Sequence, residues 1–245
     1  MKKIDAAGIY YRDLNAMLDG IVADDKEIVL ENVFGQRYIG RGLQKEIKIS
    51  INGVPGNDMA AYMDGAEIEV FGNAQDGAGN TMNDGLIKIH GSCGDTAGYA
   101  MRGGSIYIEK SAGYRVGIHM KEYQHLKPVI VIGSKAGDFL GEYMAGGNII
   151  LLGLDLEKGA DIVGKYCGTG MHGGSIYING VPSAHKMGKE AVKSDLNDYD
   201  LSLLENHINF YGAIFNRDMS SIKPENFSKY AALNKNPYKN MYCKL

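Results

Sequence analysis

Short apolar alternations punctuate the chain at regular intervals. Ile87-Lys-Ile89, Ile106-Tyr-Ile108 and Ile176-Tyr-Ile178 each set one apolar face against a polar or aromatic one. That period of two predicts half-buried strands. Just before these strands lie glycine pairs such as Gly103-Gly104, Gly146-Gly147 and Gly173-Gly174, and before each pair a methionine. Six methionines share that position: Met63, Met82, Met101, Met120, Met144 and Met171, with spacings of 19, 19, 19, 24 and 27 residues. A fixed period near 20 residues is the mark of a solenoid.

Residues 94–108 hold the clearest copy, with Gly94, Gly98, Met101, Gly103, Gly104, Ile106 and Ile108 in fixed places. The pattern returns around Met63, Met82, Met144 and Met171. Around Met120 it keeps Gly113 and Gly117 and then inserts about four residues near Tyr123–Lys127. A degenerate first copy shows in Gly35, Ile47 and Ile49. About seven turns therefore cover residues 35–181. The unit is too short for a helix pair, which needs more than 30 residues. A short strand with a Gly-rich corner predicts an all-β fold, a single-stranded parallel β-helix whose coils stack at about 4.8 Å. Equivalent residues then lie over one another, so the six methionines form a structural ladder inside the tube, where an unbranched thioether suits an irregular corner. The competing reading is a thioether file for copper(I). No His or Cys consistently accompanies the methionines, and a tube needs filling in any case.

The flanks lack the repeat. Residues 1–34 predict a cap: a short helix over 13–20 and a strand over 27–31, covering a sheet edge that would otherwise invite association. Residues 35–182 are the β-helix and 183–245 a helical C-terminal extension. In that extension Leu201, Leu204, Ile208 and Tyr211 sit at helical spacing with Gly212 as the stop, and Pro224 opens a second, weaker helix over 224–233. The last dozen residues read as an arm.

Composition narrows the function classes. Net charge is −3 with no basic block, which gives a nucleic-acid partner no electrostatic support. No apolar run reaches membrane-spanning length and the N-terminus lacks a signal-peptide core, so a soluble cytoplasmic protein is expected. Cys93, Cys167 and Cys243 are odd in number and scattered, which fits neither a disulfide framework nor a cluster. His119 and His172 flank their methionines on opposite sides and should not converge. Gly168, Gly170 and Gly173 spell a G-x-G-x-x-G, but a strand follows where a dinucleotide site needs a helix. Asp76, Asp95, Asp138 and Asp161 fall near coil starts, where carboxylates bond turn amides. The loop at 121–128, with Tyr123, His125 and Lys127, is the best place for a partner contact. Outward positions Tyr107, Tyr177 and Glu69 offer a face for self-association, part of which Lys88 at the equivalent position keeps charged, and a homo-oligomer is one outcome. No catalytic residue, metal site or cofactor site emerges.

The repeat G-x-x-x-G-x-x-M-x-G-G-x-I-x-I resembles the Gly-rich domain at the C-terminal end of the glutamate synthase large subunit. The run GDFLGEYMAGGNIILLG (137–153) is similar to that family's EYMTGG…VVLG, and LLENHINFYG (203–212) to its helix LIxxHxxxTGS. Tyr211 stands at the family's threonine and Ala213 at its serine. The resemblance covers about 35–181 for the coils. It implies a right-handed β-helix without flavin, iron–sulfur cluster or substrate, packed between a glutamine-hydrolysing domain and an FMN-containing one. With no nucleophilic N-terminal cysteine here, it implies a stand-alone scaffold subunit. Its partners would be amidotransferase and FMN-domain chains. The C subunit of formylmethanofuran dehydrogenase shares the repeat, and that complex is the alternative, beside a stand-alone ligand-binding solenoid.

Overall fold

Isoleucines stacked one per coil form the spine of this protein. The computed structural model describes residues 1–157 and 159–233. It shows a parallel solenoid of about six turns, a small difference from the seven expected. The ladder begins with β1 (Lys2–Asp5) and β2 (Glu27–Phe34), which are separated by helix α1 (Tyr11–Ile21). It continues through β3 (Lys48–Val54), β4 (Asp64–Phe71), β5 (Asp84–Ile89), β6 (Ser105–Ile108), β7 (Val129–Ile132), β8 (Ala145–Leu151) and β9 (Gly173–Asn179). Each pairs in parallel with the next. Register puts Ile28, Ile49, Ile68, Ile87, Ile106, Ile130, Ile149 and Ile176 in one inward column. All are buried. β-Branched side chains stack well on a pleated surface, and each rung removes apolar area from water at about 25 cal/mol per Å².

The rest of each coil is a left-handed device. The residues five, three and one places before the methionine all have positive φ. In the Met144 coil these are Phe139, Gly141 and Tyr143 (φ +62°, +65° and +52°). The alternation turns successive amides in opposite directions along the tube. Phe139 N–H donates forward to the Lys165 carbonyl (2.8 Å), Gly141 N–H back to Val116 (2.8 Å), and Tyr143 N–H forward to Thr169 (2.9 Å). A non-glycine residue in this region costs about 1–2 kcal/mol, and the inter-coil hydrogen bonds offset it. The middle position points inward. A Cβ on Gly98 or Gly117 would strike Cδ1 of Ile130 or Ile149, which favours glycine there, although the Met63 coil accommodates Ala60 (φ +61°). The first repeat glycine has a different reason. Asp76, Asp95 and Asp138 each accept a hydrogen bond from a backbone amide of the following coil, at Asp95, Tyr114 and Lys165 (2.9, 2.8 and 2.8 Å). Their Oδ1 atoms occupy the space a side chain would take at Gly94, Gly113 and Gly164. These carboxylates therefore bond the next coil rather than their own turns. Asp161 departs from the set and pairs with Lys186 (2.8 Å).

Side chains close both ends by standing in for a missing coil. Within the rod, the carbonyl six places before the methionine accepts from the previous coil, as Asp76 does from Asp58 N–H. In the first coil that carbonyl belongs to Arg37, and Asn15 Nδ2 on α1 donates to it (2.8 Å). At the far end, the Gly170 amide has no following coil and donates to Glu190 Oε2 (3.0 Å).

The C-terminal segment corrects two expectations. Gly212 does not end its helix: α2 runs Asp198–Phe215, with Asn216 in the left-handed cap position (φ 50°). Gly212 is small because Met219 passes 2.8 Å from where its Cβ would lie. Residues 224–233 are not a helix beyond the single 3₁₀ turn Pro224–Asn226. They form β11 (Phe227–Ala232), antiparallel to β9, and β10 (Ala191–Ser194) pairs antiparallel beyond it. The open edge of β9 supplied ladder partners that local propensity could not reveal. The expected C-terminal arm lies outside the described residues.

Candidate functional site

Each methionine of the ladder, Met63, Met82, Met101, Met120, Met144 and Met171, is at most 1 % exposed and lies in the same core cluster as the isoleucine column. The methyl groups of Met82 and Met144 sit over Gly104 and Gly174 of the following coils. Cys93 and Cys167 are also inside, and burial pushes both thiols up to about 12. They stay protonated and weakly nucleophilic. Cys243 lies outside the described residues. His119 is exposed and stacks on Tyr143, with centroids 5.4 Å apart. His172 Nδ1 lies 3.3 Å from the Gly170 carbonyl. Gly168 and Gly170 are left-handed corner glycines leading into β9, as their place in the repeat requires.

The outward faces of the strands change character along the rod. One outward column reads Val29, Ser50, Glu69, Lys88, Tyr107, Val131, Ile150, Tyr177. Its first half is an ion-pair surface, where Lys88 Nζ meets Glu67 (2.6 Å) and Glu69 (3.1 Å). Its second half is apolar and covered by α2. Tyr107 and Tyr177 are therefore not an open self-association face. They are 2 % and 1 % exposed, in a second core with Leu204, Ile208, Tyr211 and Phe215.

Three polar contacts fix the helix to this face. The Asp200 carboxylate accepts from the Tyr177 hydroxyl (2.7 Å) and from Lys229 Nζ (2.7 and 2.9 Å), and forms a capping box with Asn197. Burial opposes its charge, but these donors outweigh burial and hold its carboxyl below the usual range. His207 Nδ1 lies 2.6 Å from the Tyr107 hydroxyl, and burial lowers its pKa. The Tyr211 hydroxyl donates to the Glu109 carbonyl (2.7 Å). The helical spacing of Leu204, Ile208 and Tyr211 showed in the sequence. The pairing of Asp200 with Lys229 did not, because β11 had to fold back first.

Two grooves flank the helix. One, of about 310 Å³, lies between the 121–128 loop and the start of α2, where Lys127 Nζ sits 5.6 Å from the Tyr199 ring. Glycine backbone at Gly147 and Gly174 lines it. The other, of about 620 Å³, separates α2 from residues 217–225 and is lined by Glu205, Ile208, Arg217, Met219 and Lys223. Among the described residues no cluster of His, Cys, Asp and Glu is placed to hold a metal ion, and no helix is long and apolar enough to cross a membrane.

An uncharacterized protein of Methanocaldococcus jannaschii is 47 % identical over 249 aligned positions, which cover 98 % of this chain and 95 % of the relative. The model of the GXGXG motif family matches residues 27–232, from β2 to the end of β11. Coils, covering helix and closing strands thus all fall within one match, and the chain belongs to the GXGXG motif family.

Proposed function

We propose that this protein is a scaffold subunit of a glutamate synthase-type oxidoreductase complex, with the glutamine amidotransferase and FMN-bearing synthase parts on other chains. One observation carries the reading: the segment resembling the glutamate synthase tail, residues 203–212, belongs to the helix docked on the coils. Likeness to that enzyme's Gly-rich domain therefore extends from the repeat to the element that covers it. The chemistry of the buried groups supports a structural role. Both buried thiols stay protonated, and Asp200, His207 and Tyr211 are each spent on holding α2.

Purification of the native chain from its source, followed by mass spectrometry of accompanying polypeptides, tests the proposal. Amidotransferase-type and FMN-domain chains should elute with it in fixed ratio. Elution alone would refute the subunit role. Elution with molybdenum- or tungsten-enzyme subunits would move the chain to a formylmethanofuran dehydrogenase-type complex.

A further inference from the structure

Asn148 is out of character with its surroundings. It lies in β8 on the outward side, in register with Val129 of β7 and Ser175 of β9. Asparagine is depleted in strands, and this one is only 8 % exposed. Its backbone amide donates to the Pro128 carbonyl (2.9 Å). Its carboxamide has no hydrogen-bond partner among the described residues. A carboxamide carries two donor hydrogens and an acceptor oxygen, and burying it without partners is unfavourable. The polar groups that hold α2 nearby are matched: Asp200 meets Lys229 and Tyr177, and Tyr211 meets the Glu109 carbonyl. Asn148 instead lines the groove of about 310 Å³ between the 121–128 loop and the start of α2. Its outward amide is aimed into that space.

Charge narrows what the groove can hold. Its charged lining side chains are Glu122, Lys127, Asp200 and Lys229. Asp200 and Lys229 are paired with each other (2.7 and 2.9 Å). Lys127 has no carboxylate partner among the described residues, and its ammonium rests over the Tyr199 ring. Glu122 accepts from the Gly147 amide through Oε1 (3.1 Å) and meets no cation among the described residues. One positive charge, one negative charge and one carboxamide are thus left without matching partners in a single groove. A simple anion would be repelled by Glu122 and a simple cation by Lys127. A small zwitterion suits both, and Asn148 can donate to its carboxylate or accept from its ammonium. Ligand sites start at about 300 Å³, so this groove suits a free amino acid rather than a nucleotide. The Tyr199 ring, 58 % exposed, forms a wall for the amino acid's side chain.

We propose that this groove binds a free amino acid, with Lys127 taking the carboxylate, Glu122 the ammonium and Asn148 fixing the molecule between them. The site goes beyond the subunit reading and does not rest on it. The test titrates each of the twenty standard L-amino acids into the ¹⁵N-labelled full chain and follows the side-chain amide signal of Asn148. At least one should shift that signal saturably. Its α-carboxamide, which lacks the carboxylate, and its N-acetyl derivative, which lacks the ammonium, should each bind about tenfold more weakly or worse, the loss expected for a charged hydrogen bond. Lys127→Gln and Glu122→Gln should each weaken binding by a similar factor. Glutamine at 122 keeps an acceptor for the Gly147 amide, so only the charge is removed. Asn148→Val should weaken binding too, and the two loop variants decide the matter if that change in β8 prevents folding. No shift of Asn148 with any amino acid would overturn the site. So would blocked derivatives that bind as well as the parent, or binding unmoved by both loop variants. The co-purification result is separate: the groove can fail while the subunit role stands, and the reverse.

Discussion

A Cβ at Gly113 would collide with Asp95 Oδ1 and with the backbone of Gly94. The φ of Gly113 is not positive, so the glycine is there for space alone. The Gly113→Ala variant should lose about 1–3 kcal/mol, the usual cost of overpacking, measured by urea unfolding. A neutral result would mean that the Asp95 hydrogen bond to the Tyr114 amide contributes little. The repeat glycines were legible as a pattern, but their separate causes were not. One position yields to a neighbouring carboxylate and another to an inward isoleucine, and only the stacked coils bring those atoms into contact.

At the scale of elements, each end of the rod uses a side chain where the backbone of a further coil is missing. The Glu190→Ala substitution removes the acceptor for the Gly170 amide, and a hydrogen bond to a charged acceptor contributes about 1.5–3 kcal/mol. Hydrogen exchange at Gly170 and its neighbours should accelerate, while the central coils stay protected. Uniform acceleration along the rod would show that the end coil does not open separately. The helix α2 makes a sharper case. The Asp200→Asn variant leaves Lys229 under the helix without its counter-charge, and breaking a buried pair this way costs about 3–5 kcal/mol. Urea unfolding that shifts by less than about 1 kcal/mol would refute the clamp. The sequence showed that α2 is a helix with an apolar stripe. It misplaced the end at Gly212 and read β11 as helix, because the free edge of β9 and the approach of Met219 are tertiary facts.

For the whole molecule, the attachment of α2 makes stability depend on pH in two separate windows. The folded pKa of His207 is lowered, so the docked state holds the imidazole neutral. The unfolded chain takes up a proton below about pH 6.5. Stability is therefore complete above that pH and falls as acid is added through the window just below it. The folded pKa of Asp200 is lowered too, so its contribution is present above about pH 3.9 and is lost as pH falls further. Urea midpoints taken between pH 7.5 and 5 should fall for the wild type, and the slope should flatten in the His207→Gln variant. An unchanged slope would place the titrating group elsewhere.

Much of this architecture was set by the sequence alone. A period near 20 residues, alternating isoleucines and paired glycines admit only a stacked parallel coil, because identical units must bury identical faces against one another. Periodicity of that kind is local information repeated, and each copy reinforces the others. The covering of Tyr107 and Tyr177, the Asp200–Lys229 clamp, the side chains that stand in for a further coil at each end and the stacked corner rings belong to the tertiary structure. Those features join residues from different coils or from the non-repeating tail, and only the folded register decides which of them meet.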